Sequence, residues 1–338
     1  MDTHVSTRRR RSRVRPHRSC LHAVALACAA LTLSGAAAAQ GAYPDRPITL
    51  VVPFGAGGIT DLVARATGKA LSEQLGQSIV VENRPGAGGN IAADYVRRAR
   101  PDGYTLLFAT VGVLAVNPHT DVKVNFNSAK DFTYVSLVGS TPHVLVVGPS
   151  VTVKTLPDLI KLAKAKPDSL SVGTAGVGSS PYQGMKILEE GSKVQFLHVP
   201  FKSGSESVTN VASGQVDLTF EASPQVMPFV TSGKLRALAV ANPQRLSTAP
   251  DVPSTAELGY PGIVSGSVAG VVGPAGLDAE VVKKLNSAIV TAVANPKFKA
   301  VLVAQGTEPT ASTPEQFRQM IGNEDRRWSA LLKSEARN

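Results

Sequence analysis

The strongest constraint on the fold is an alternation of short apolar runs, glycine turns and helical stretches that begins at Ile48. Runs such as 48–52 and 104–109 are apolar on both faces, which is typical of parallel strands covered by helices on each side. Between them, apolar residues recur three or four positions apart, as in the stretch that ends at Gly76. The pattern predicts an α/β protein.

The alternation continues almost to the end of the chain. Strands are predicted at 48–52, 79–81, 104–109, 135–138, 145–147, 170–172, 196–199, 216–220, 235–240 and 268–272. Helices are predicted at 62–75, 91–98, 155–165, 183–190, 206–213, 225–232, 279–293 and 314–333, with caps at Thr155 and Thr313. Because an open sheet of about ten parallel strands is unusually large, we expect two α/β units rather than one.

Residues 1–39 have the layout of a secretory signal peptide. Seven arginines precede the apolar run 21–33, which is too short to span a bilayer, and small residues follow at 36–39. We predict cleavage after Ala39 and a periplasmic location. The alternative interpretations are an N-terminal anchor helix and a basic arm that binds nucleic acid.

The net charge of +10 does not indicate a nucleic-acid partner, because the signal peptide carries most of it. Its seven arginines and one acid, Asp2, give +6, so +4 remains for the other residues, too little for a basic binding face. Both cysteines also lie in this segment. With His119, His143 and His198 far apart in sequence, we expect no metal, no cofactor and no cysteine chemistry in the mature chain.

Three glycine-rich loops, 54–58, 85–89 and 173–180, each follow a predicted strand and precede a helix. Helix N-termini present free N–H groups and a positive dipole end, so these loops suit a carboxylate or a phosphate. Plain strand-to-helix turns are the alternative interpretation. The third loop has phosphate-loop spacing, but Ser179 replaces the lysine that nucleotide hydrolysis needs, and neither other loop completes a dinucleotide fingerprint.

Catalytic patterns are weak. No Gly-x-Ser-x-Gly elbow is present, and the one enzyme hypothesis is a hydrolase that pairs Ser179 or Ser180 with His198. We therefore expect no catalytic residues. Asp61, near the start of the first helix, is predicted to cap it rather than to contact a ligand.

Eight short blocks in the mature sequence carry a family resemblance: YPDRPI at 43–48, VVPFGAGG at 51–58, ENRPGAGG at 82–89, PDGYTL at 101–106, SGQVDL at 213–218, GKLRALAV at 233–240, PDVPS at 250–254 and GPAG at 273–276. In these blocks and their order, the chain resembles the Bug family, also called the TctC-like receptors. These are periplasmic solute-binding proteins of tripartite tricarboxylate transporters. The likeness extends over essentially the whole mature chain.

The resemblance implies a two-lobed, type II periplasmic-binding fold with a ligand cleft between the lobes and two crossover strands. Crossings near 143–145 and 265–267 would place 40–143 and 266–338 in lobe 1 and 144–265 in lobe 2. The expected ligand is a small organic acid, and the expected protein partners are the membrane permease subunits, contacted transiently by a monomer. A receptor that reports its ligand to a sensor kinase is the alternative within binding proteins.

The resemblance also implies a ligand site built mainly from main-chain amides and hydroxyl groups. The candidate residues are Phe54, Gly55, Ala56, Gly57, Gly58, Thr110, Val111, Gly176, Val177, Gly178, Ser179, Ser180, Phe201, Lys202, Ser203, Glu221 and Ala222.

The chain departs from the family pattern at three places. Pro181 and Tyr182 stand where a histidine is common, Val268 and Ala269 where aromatic residues are common, and Glu221 where an aspartate is frequent. We expect the pocket to be wider on the Val268 side and narrower near Glu221, whose side chain is one methylene longer than aspartate. We hypothesise a ligand bulkier than a C4 diacid, such as an aromatic or tricarboxylic acid.

Overall fold

The computed structural model describes residues 1–3 and 43–335. The chain separates into two compact units, 1–45 and 46–338, and the fold described here is that of the second. The predicted signal peptide, apart from residues 1–3, and its cleavage site after Ala39 lie outside the described residues.

Strands and helices alternate through the second unit, as the periodicity predicts. The strands are β1 Ile48–Val52, β2 Ile79–Asn83, β3 Thr105–Thr110, β4 Phe132–Val147, β5 Ser171–Thr174, β6 Leu197–Pro200, β7 Leu218–Ala222, β8 Arg236–Val240, β9 Gly266–Pro274 and β10 Glu308–Pro309. The helices are α1 Ile59–Leu75, α2 Asn90–Arg97, α3 Leu156–Ala165, α4 Ser180–Ser192, α5 Gly204–Ala212, α6 Ser223–Thr231, α7 Ala279–Ala294, α8 Pro296–Ala304 and α9 Pro314–Glu335. A π-helical turn, Gly112–Val116, follows β3.

The strands form one mixed sheet in the order β2, β1, β3, β9, β4, β7, β5, β6, with β8 and β10 also paired to β4. The neighbours of β1 and of β5 are parallel to them. Strand β9 is antiparallel to β3 and β4, and β4 is antiparallel to β7 and β8. The prediction of parallel strands is therefore confirmed for the strands toward both edges of the sheet and is wrong for those at its centre.

Strand β4 joins two parts of this sheet. Its first residues, 132–142, pair with β9, and its last residues, 143–147, pair with β7 and β8. We call the part with β1, β2, β3, β9 and β10 the first half-sheet and the part with β5 to β8 the second half-sheet. The two strands predicted at 135–138 and 145–147 are thus one, because the polar stretch between them pairs with β9 instead of turning.

The chain passes between the half-sheets again just before β9, next to the point where β4 does so. The N–H of His143 donates to the Ser265 carbonyl at 3.0 Å, and the His143 ring Nδ1 lies 3.0 Å from the Ser265 hydroxyl. Ala241 extends this contact, since its N–H donates to the His143 carbonyl at 2.8 Å and its carbonyl accepts from Ser265 at 2.9 Å. The two passages are therefore hydrogen-bonded side by side.

Both predicted helix caps are present. Thr155 accepts the N–H of Asp158 at 3.2 Å. The Thr313 hydroxyl accepts the N–H of Gln316, whose side chain accepts the N–H of Thr313, which completes a capping box at α9. Within the described residues no single helix is long and apolar enough to cross a membrane; α7 and α8 together satisfy the length and composition test only as a pair bent by 75°.

Candidate functional site

A small cavity with both polar and apolar lining lies where the two half-sheets meet. Its lining comes from the loops that open α1, α4 and α5 and from the end of β7: Phe54, Gly55, Gly58, Ile59, Thr60, Ala175, Ser179, Ser180, Pro181, Ser203, Gly204 and Glu221. Its volume of about 30 Å³ leaves room for only a few water molecules. An organic acid can therefore enter only if the surrounding loops move apart.

Three helix N-termini converge on this cavity. Helix α1 begins after Gly58, which has no side-chain cap, whereas Ser179 caps α4 and Ser203 caps α5. The Ser179 hydroxyl also donates to the Gly176 carbonyl at 2.6 Å, which fixes the loop ahead of α4. Helix N-termini favour anions through free N–H groups and the helix dipole. None of the described lining residues is a lysine or an arginine, so these helix ends are the main source of positive potential.

Asp61 holds the loop ahead of α1 in place. It is buried, and its Oδ2 accepts the N–H of Gly57 at 3.0 Å and the Nε–H of Arg65 at 3.0 Å. The prediction that Asp61 caps α1 is therefore wrong in detail, because Gly58 occupies the N-cap position. Asp61, three residues later, instead accepts the hydrogen bond from Gly57 in the preceding loop. The expected structural role of Asp61 agrees with these contacts.

Asn83, at the end of β2, completes this loop support and is not apparent from local sequence. Its side-chain N–H groups donate to the Phe54 carbonyl and to Asp61 Oδ1, both at 2.9 Å, and its Oδ1 accepts from Arg65 at 2.8 Å. Burial raises the pKa of Asp61, but hydrogen bonds from Arg65, Gly57 and Asn83 outweigh it, so the net pKa is lowered. The one sequence signal for Asn83 is its place in the ENRPGAGG block.

Several predicted site residues lie where loops of the two half-sheets touch rather than in the cavity. The Gly57 carbonyl accepts from Ser205 at 3.0 Å and from Gln225 at 3.4 Å. Gly178 packs so closely on Asn117 that a Cβ atom there would overlap the Asn117 Oδ1. The Gly178 carbonyl oxygen lies equally close to Gly112, so a Cβ atom at residue 112 would overlap it. These contacts join the two half-sheets at the mouth of the cavity.

The remaining predicted residues are distributed around this region. The Val177 carbonyl lies against Gly88, the Gly176 carbonyl accepts from Ser179, and Thr110 accepts the N–H of Val113 at 3.4 Å. The main-chain N–H of Phe201 donates to the Thr174 carbonyl, and that of Lys202 donates to the Glu206 carboxylate. The main-chain N–H of Ala222 donates to the Glu221 carboxyl group, and Ala56 is exposed.

The structure thus places seven of the predicted residues on the cavity: Phe54, Gly55, Gly58, Ser179, Ser180, Ser203 and Glu221. Five lining residues were not in the predicted set: Ile59, Thr60, Ala175, Pro181 and Gly204. Each adjoins a predicted residue in sequence or is one position removed, so extending the loops into the first helical turn would have found most of them.

Val268 lines a different, larger cavity of about 290 Å³. This second cavity also contains Val111, Gln183 and Trp328, and it lies between α4, α9 and the strands that join the half-sheets. We expected Val268 to widen the ligand pocket, but Val268 does not line the small cavity in this structure. Val111 is nevertheless followed by Gly112, which contacts Gly178. Gly178 directly precedes Ser179, a lining residue of the small cavity.

Glu221 is the one titratable side chain that lines the small cavity among the described residues. It is 2% exposed, and burial raises its pKa to about 8, while a hydrogen bond from the Ala222 N–H acts in the opposite direction. Its Oε1 has no hydrogen-bond partner in the described part of the chain. A buried, unpartnered carboxyl oxygen is costly to keep unless something binds it.

The hydrolase hypothesis does not fit this geometry. His198 Nε2 bonds to the Thr174 hydroxyl at 2.7 Å, and the Ser179 hydroxyl is engaged as a donor to Gly176 and as a helix cap. No group of three or more histidine, cysteine, aspartate or glutamate side chains in the described ranges could hold a metal ion. The site offers hydrogen bonding and helix-end electrostatics rather than a nucleophile and its base.

Comparisons with known proteins agree with this picture. Residues 63–336 match the model of the TctC family, the tripartite tricarboxylate transporter family receptors. BugT from Bordetella pertussis is 35% identical over 292 residues, 86% of this chain and 90% of BugT. A Pseudomonas sp. strain P51 protein from the tcbD-tcbE intergenic region is also 35% identical, over 91% of each chain.

Solved structures extend the likeness to proteins with known ligands. An R. palustris protein solved with adipate is 34% identical, with a TM-score of 0.81 over 86% of this chain and 97% of its own. MatC from Rhodopseudomonas palustris, with bound malate, is 32% identical, with a TM-score of 0.79 over 86% of this chain and 100% of its own. The periplasmic binding protein BugD is 32% identical, with a TM-score of 0.80 over 86% and 98%. These relatives are binding proteins and not enzymes, and the chain belongs to the Bug/TctC family of tripartite tricarboxylate transporter receptors.

Proposed function

We propose that this chain is an extracytoplasmic receptor that captures a small organic carboxylate between its two half-sheets and delivers it to a tripartite tricarboxylate-type permease. The observation that carries the proposal is the convergence of the α1, α4 and α5 N-termini on one cavity without a basic side chain in its described lining. Such a cavity can hold a carboxylate by main-chain N–H groups and hydroxyls alone. Adipate and malate, the ligands of two relatives, belong to this chemical class.

Capture occurs by closure of two lobes about the paired passages at His143 and Ser265. In this proposal, lobe 1 comprises 40–143 and 266–338 and lobe 2 comprises 144–265. The hydrogen bonds between His143, Ser265 and Ala241 support a hinge there, because they hold the two connecting segments together as one unit. The contacts of Gly57 with Ser205 and of Gly178 with Asn117 would form as the lobes close.

The receptor acts in the periplasm as a monomer after cleavage of the signal peptide behind Ala39. The full chain would be expressed, purified from the periplasm and weighed by mass spectrometry. A mass that begins at Gln40, with a monomeric elution volume, is the expected result. A retained N-terminus or a dimer would contradict this part of the proposal.

A thermal-shift screen tests the receptor function. The purified protein is unfolded and refolded to remove any ligand it carries, then heated with succinate, malate, adipate, citrate and phthalate. A compound that binds only the folded state stabilises it, by about 2.7 kcal/mol at a concentration one hundred times its Kd. One saturable rise in Tm is expected, together with none from 1,6-hexanediol, which has the carbon chain of adipate without its carboxylates. Equal shifts with the diol and the diacid, or none with any acid, would overturn the proposal.

The same screen tests ligand size. We propose that the ligand is bulkier than a C4 diacid, because Val268 and Ala269 replace larger aromatic residues near the inner side of the cleft, beside Val111. The second cavity of about 290 Å³ supplies room on that side once the loops separate. Adipate, citrate or phthalate should then bind more tightly than succinate. Equal or tighter binding of succinate would contradict the size proposal and leave the receptor function intact.

A further inference from the structure

Glu221 occupies an unusual place for a carboxyl group. It lies near the end of β7, faces the small cavity and is 2% exposed. The Ala222 N–H is its hydrogen-bond donor, whereas Oε1 has no partner in the described part of the chain. Both the burial and the unpartnered oxygen indicate that the cavity is incomplete without another group against Oε1.

The start of α5 fixes this carboxyl in position. Glu221 packs so closely on Gly204 that any Cβ atom at residue 204 would overlap Oε1. Gly204 is the first residue of a nine-residue helix, and its cap, Ser203, also lines the cavity. Gly204 therefore closes one side of Oε1 itself, while the Glu221 side chain also lines the cavity, from which a ligand would have to approach.

The charged groups on the neighbouring elements are already engaged or belong to other networks. Asp61 pairs with Arg65, Glu206 accepts the Lys202 N–H, and Lys186 pairs with Glu189. His143 on β4 bonds to Ser265, and His198 on β6 bonds to Thr174. The protonation of Glu221 is therefore governed by its burial and by the Ala222 hydrogen bond.

We propose, on the basis of the proposed function, that Glu221 is a specificity-determining residue that remains a neutral carboxylic acid and donates a hydrogen bond from Oε1 to a carboxylate oxygen of the ligand. An ionised Glu221 would repel that carboxylate, while the neutral acid supplies a further hydrogen-bond donor beside the hydroxyl and main-chain N–H groups of the cavity. The receptor then takes up a proton together with its ligand only at a pH where Glu221 of the free protein is ionised.

Burial supports this assignment, since it raises the pKa of Glu221 to about 8. Below that pH the acid is protonated and ready to donate. Above it, the proton must be taken up before the ligand binds, so the affinity falls by about tenfold for each pH unit. Binding is thus expected to be independent of Glu221 titration at pH 6 to 7 and to weaken in alkaline solution.

Calorimetric titration with adipate, between about pH 6 and pH 9.5, tests the proposal. The wild type should lose affinity above about pH 8, whereas E221Q, whose amide donates a hydrogen bond without titrating, should give a flat profile. E189Q is the matched control: Glu189 is a buried carboxyl outside the cavity, so its variant should keep the wild-type profile. A wild-type profile as flat as that of E221Q, or loss of the pH dependence in E189Q as well, would overturn the proposal.

A second measurement separates this inference from the receptor function. Between pH 4.5 and 8 the native protein binds a proton at Glu221 that the unfolded chain releases, so the wild type should lose stability relative to E221Q as the pH rises through this range. A constant difference in Tm would show that Glu221 is ionised at neutral pH and would overturn its donor role. If the Tm values follow the expected trend but no carboxylate binds, the proposed receptor function is overturned. Glu221 would then be a neutral acid in the native state but not a donor to a ligand.

Discussion

Gly178 and Asn117 lie in contact across the two half-sheets, so close that a single added methyl group at Gly178 would overlap the Asn117 Oδ1. Gly178 has a φ of +80°, and Asn117 is completely buried. Asn117 is fixed in turn, because its side-chain N–H groups donate to the Gly88 carbonyl at 3.0 Å and to Asn90 Oδ1 at 2.5 Å. Closure of the cavity therefore depends on a glycine at this position.

Gly178→Ala should weaken ligand binding by tenfold or more, because the added methyl group keeps the two half-sheets apart. Gly176→Ala is the matched control: Gly176 has a φ of +92°, but nothing lies within 4 Å of a Cβ atom there. Both variants cost about 1–2 kcal/mol of backbone strain, and the overlap with Asn117 adds to this in Gly178→Ala alone, so both Tm values should fall and that of Gly178→Ala should fall at least as far. Calorimetry with the thermal-shift hit measures the affinities, and equal Kd values for the two variants would contradict the role of this contact.

Asp61→Ala should lower both stability and affinity. The substitution removes the acceptor that holds the Gly57 N–H and leaves Arg65 and Asn83 without their shared partner. Loss of hydrogen bonds to a buried carboxylate costs about 1–3 kcal/mol, and the loop of residues 54–58 should become less ordered.

Asp94→Ala provides the comparison, because Asp94, on α2, pairs with Arg97 and Arg98 and lines neither cavity. Thermal unfolding and calorimetry would be run on both variants. We expect a lower ligand affinity for Asp61→Ala alone, and an equal loss in Asp94→Ala would show that the effect does not arise from the loop.

His143 should make the protein sensitive to acid. It is fully buried, and burial lowers its pKa to about 3, so the native state holds it neutral. Between pH 6.5 and 3 the unfolded chain binds a proton that the native state does not, and stability is lost as the pH falls. His143→Asn removes this titration, so its Tm should decline less than that of the wild type between pH 6.5 and 4.

Ser265→Ala separates titration from hydrogen bonding at the same place. It removes the hydroxyl that contacts the His143 ring and leaves the buried imidazole. Its Tm should be lower than that of the wild type at every pH but should decline with the same slope. Parallel curves for the wild type and His143→Asn would contradict the assignment.

The sequence was sufficient for the parts of the fold that depend on local pattern. Apolar runs and glycine turns predict the outer parallel strands and the helices, and Thr155 and Thr313 predict two caps that are present. The central strands were also predicted, but their antiparallel direction was not, because direction depends on where the chain passes between half-sheets. The separate helix α8, which begins at Pro296 and is capped by Asn295, was also missed.

The site was predictable to the extent that it follows from helix N-termini. Six of the predicted residues in the loops at 54–58, 173–180 and 201–203 line the cavity, and Glu221 is the seventh. Contacts such as those of Asn83 with Phe54 and Asn117 with Gly178 join residues 29 and 61 positions apart in sequence. No periodicity or spacing signals such contacts, because the first arises when β2 pairs with β1 and the second when loops of the two half-sheets pack together.

The central claim is that a carboxylate binds at the three convergent helix N-termini. A crystal structure of the refolded protein with the acid that gives the largest thermal shift tests it most directly. The account predicts a ligand carboxylate within about 2.7–3.2 Å of main-chain N–H groups at the start of α1, α4 or α5, with Glu221 among its contacts. A ligand held instead in the second cavity, beside Val111 and Val268, or on the protein surface by lysine or arginine side chains, would contradict it.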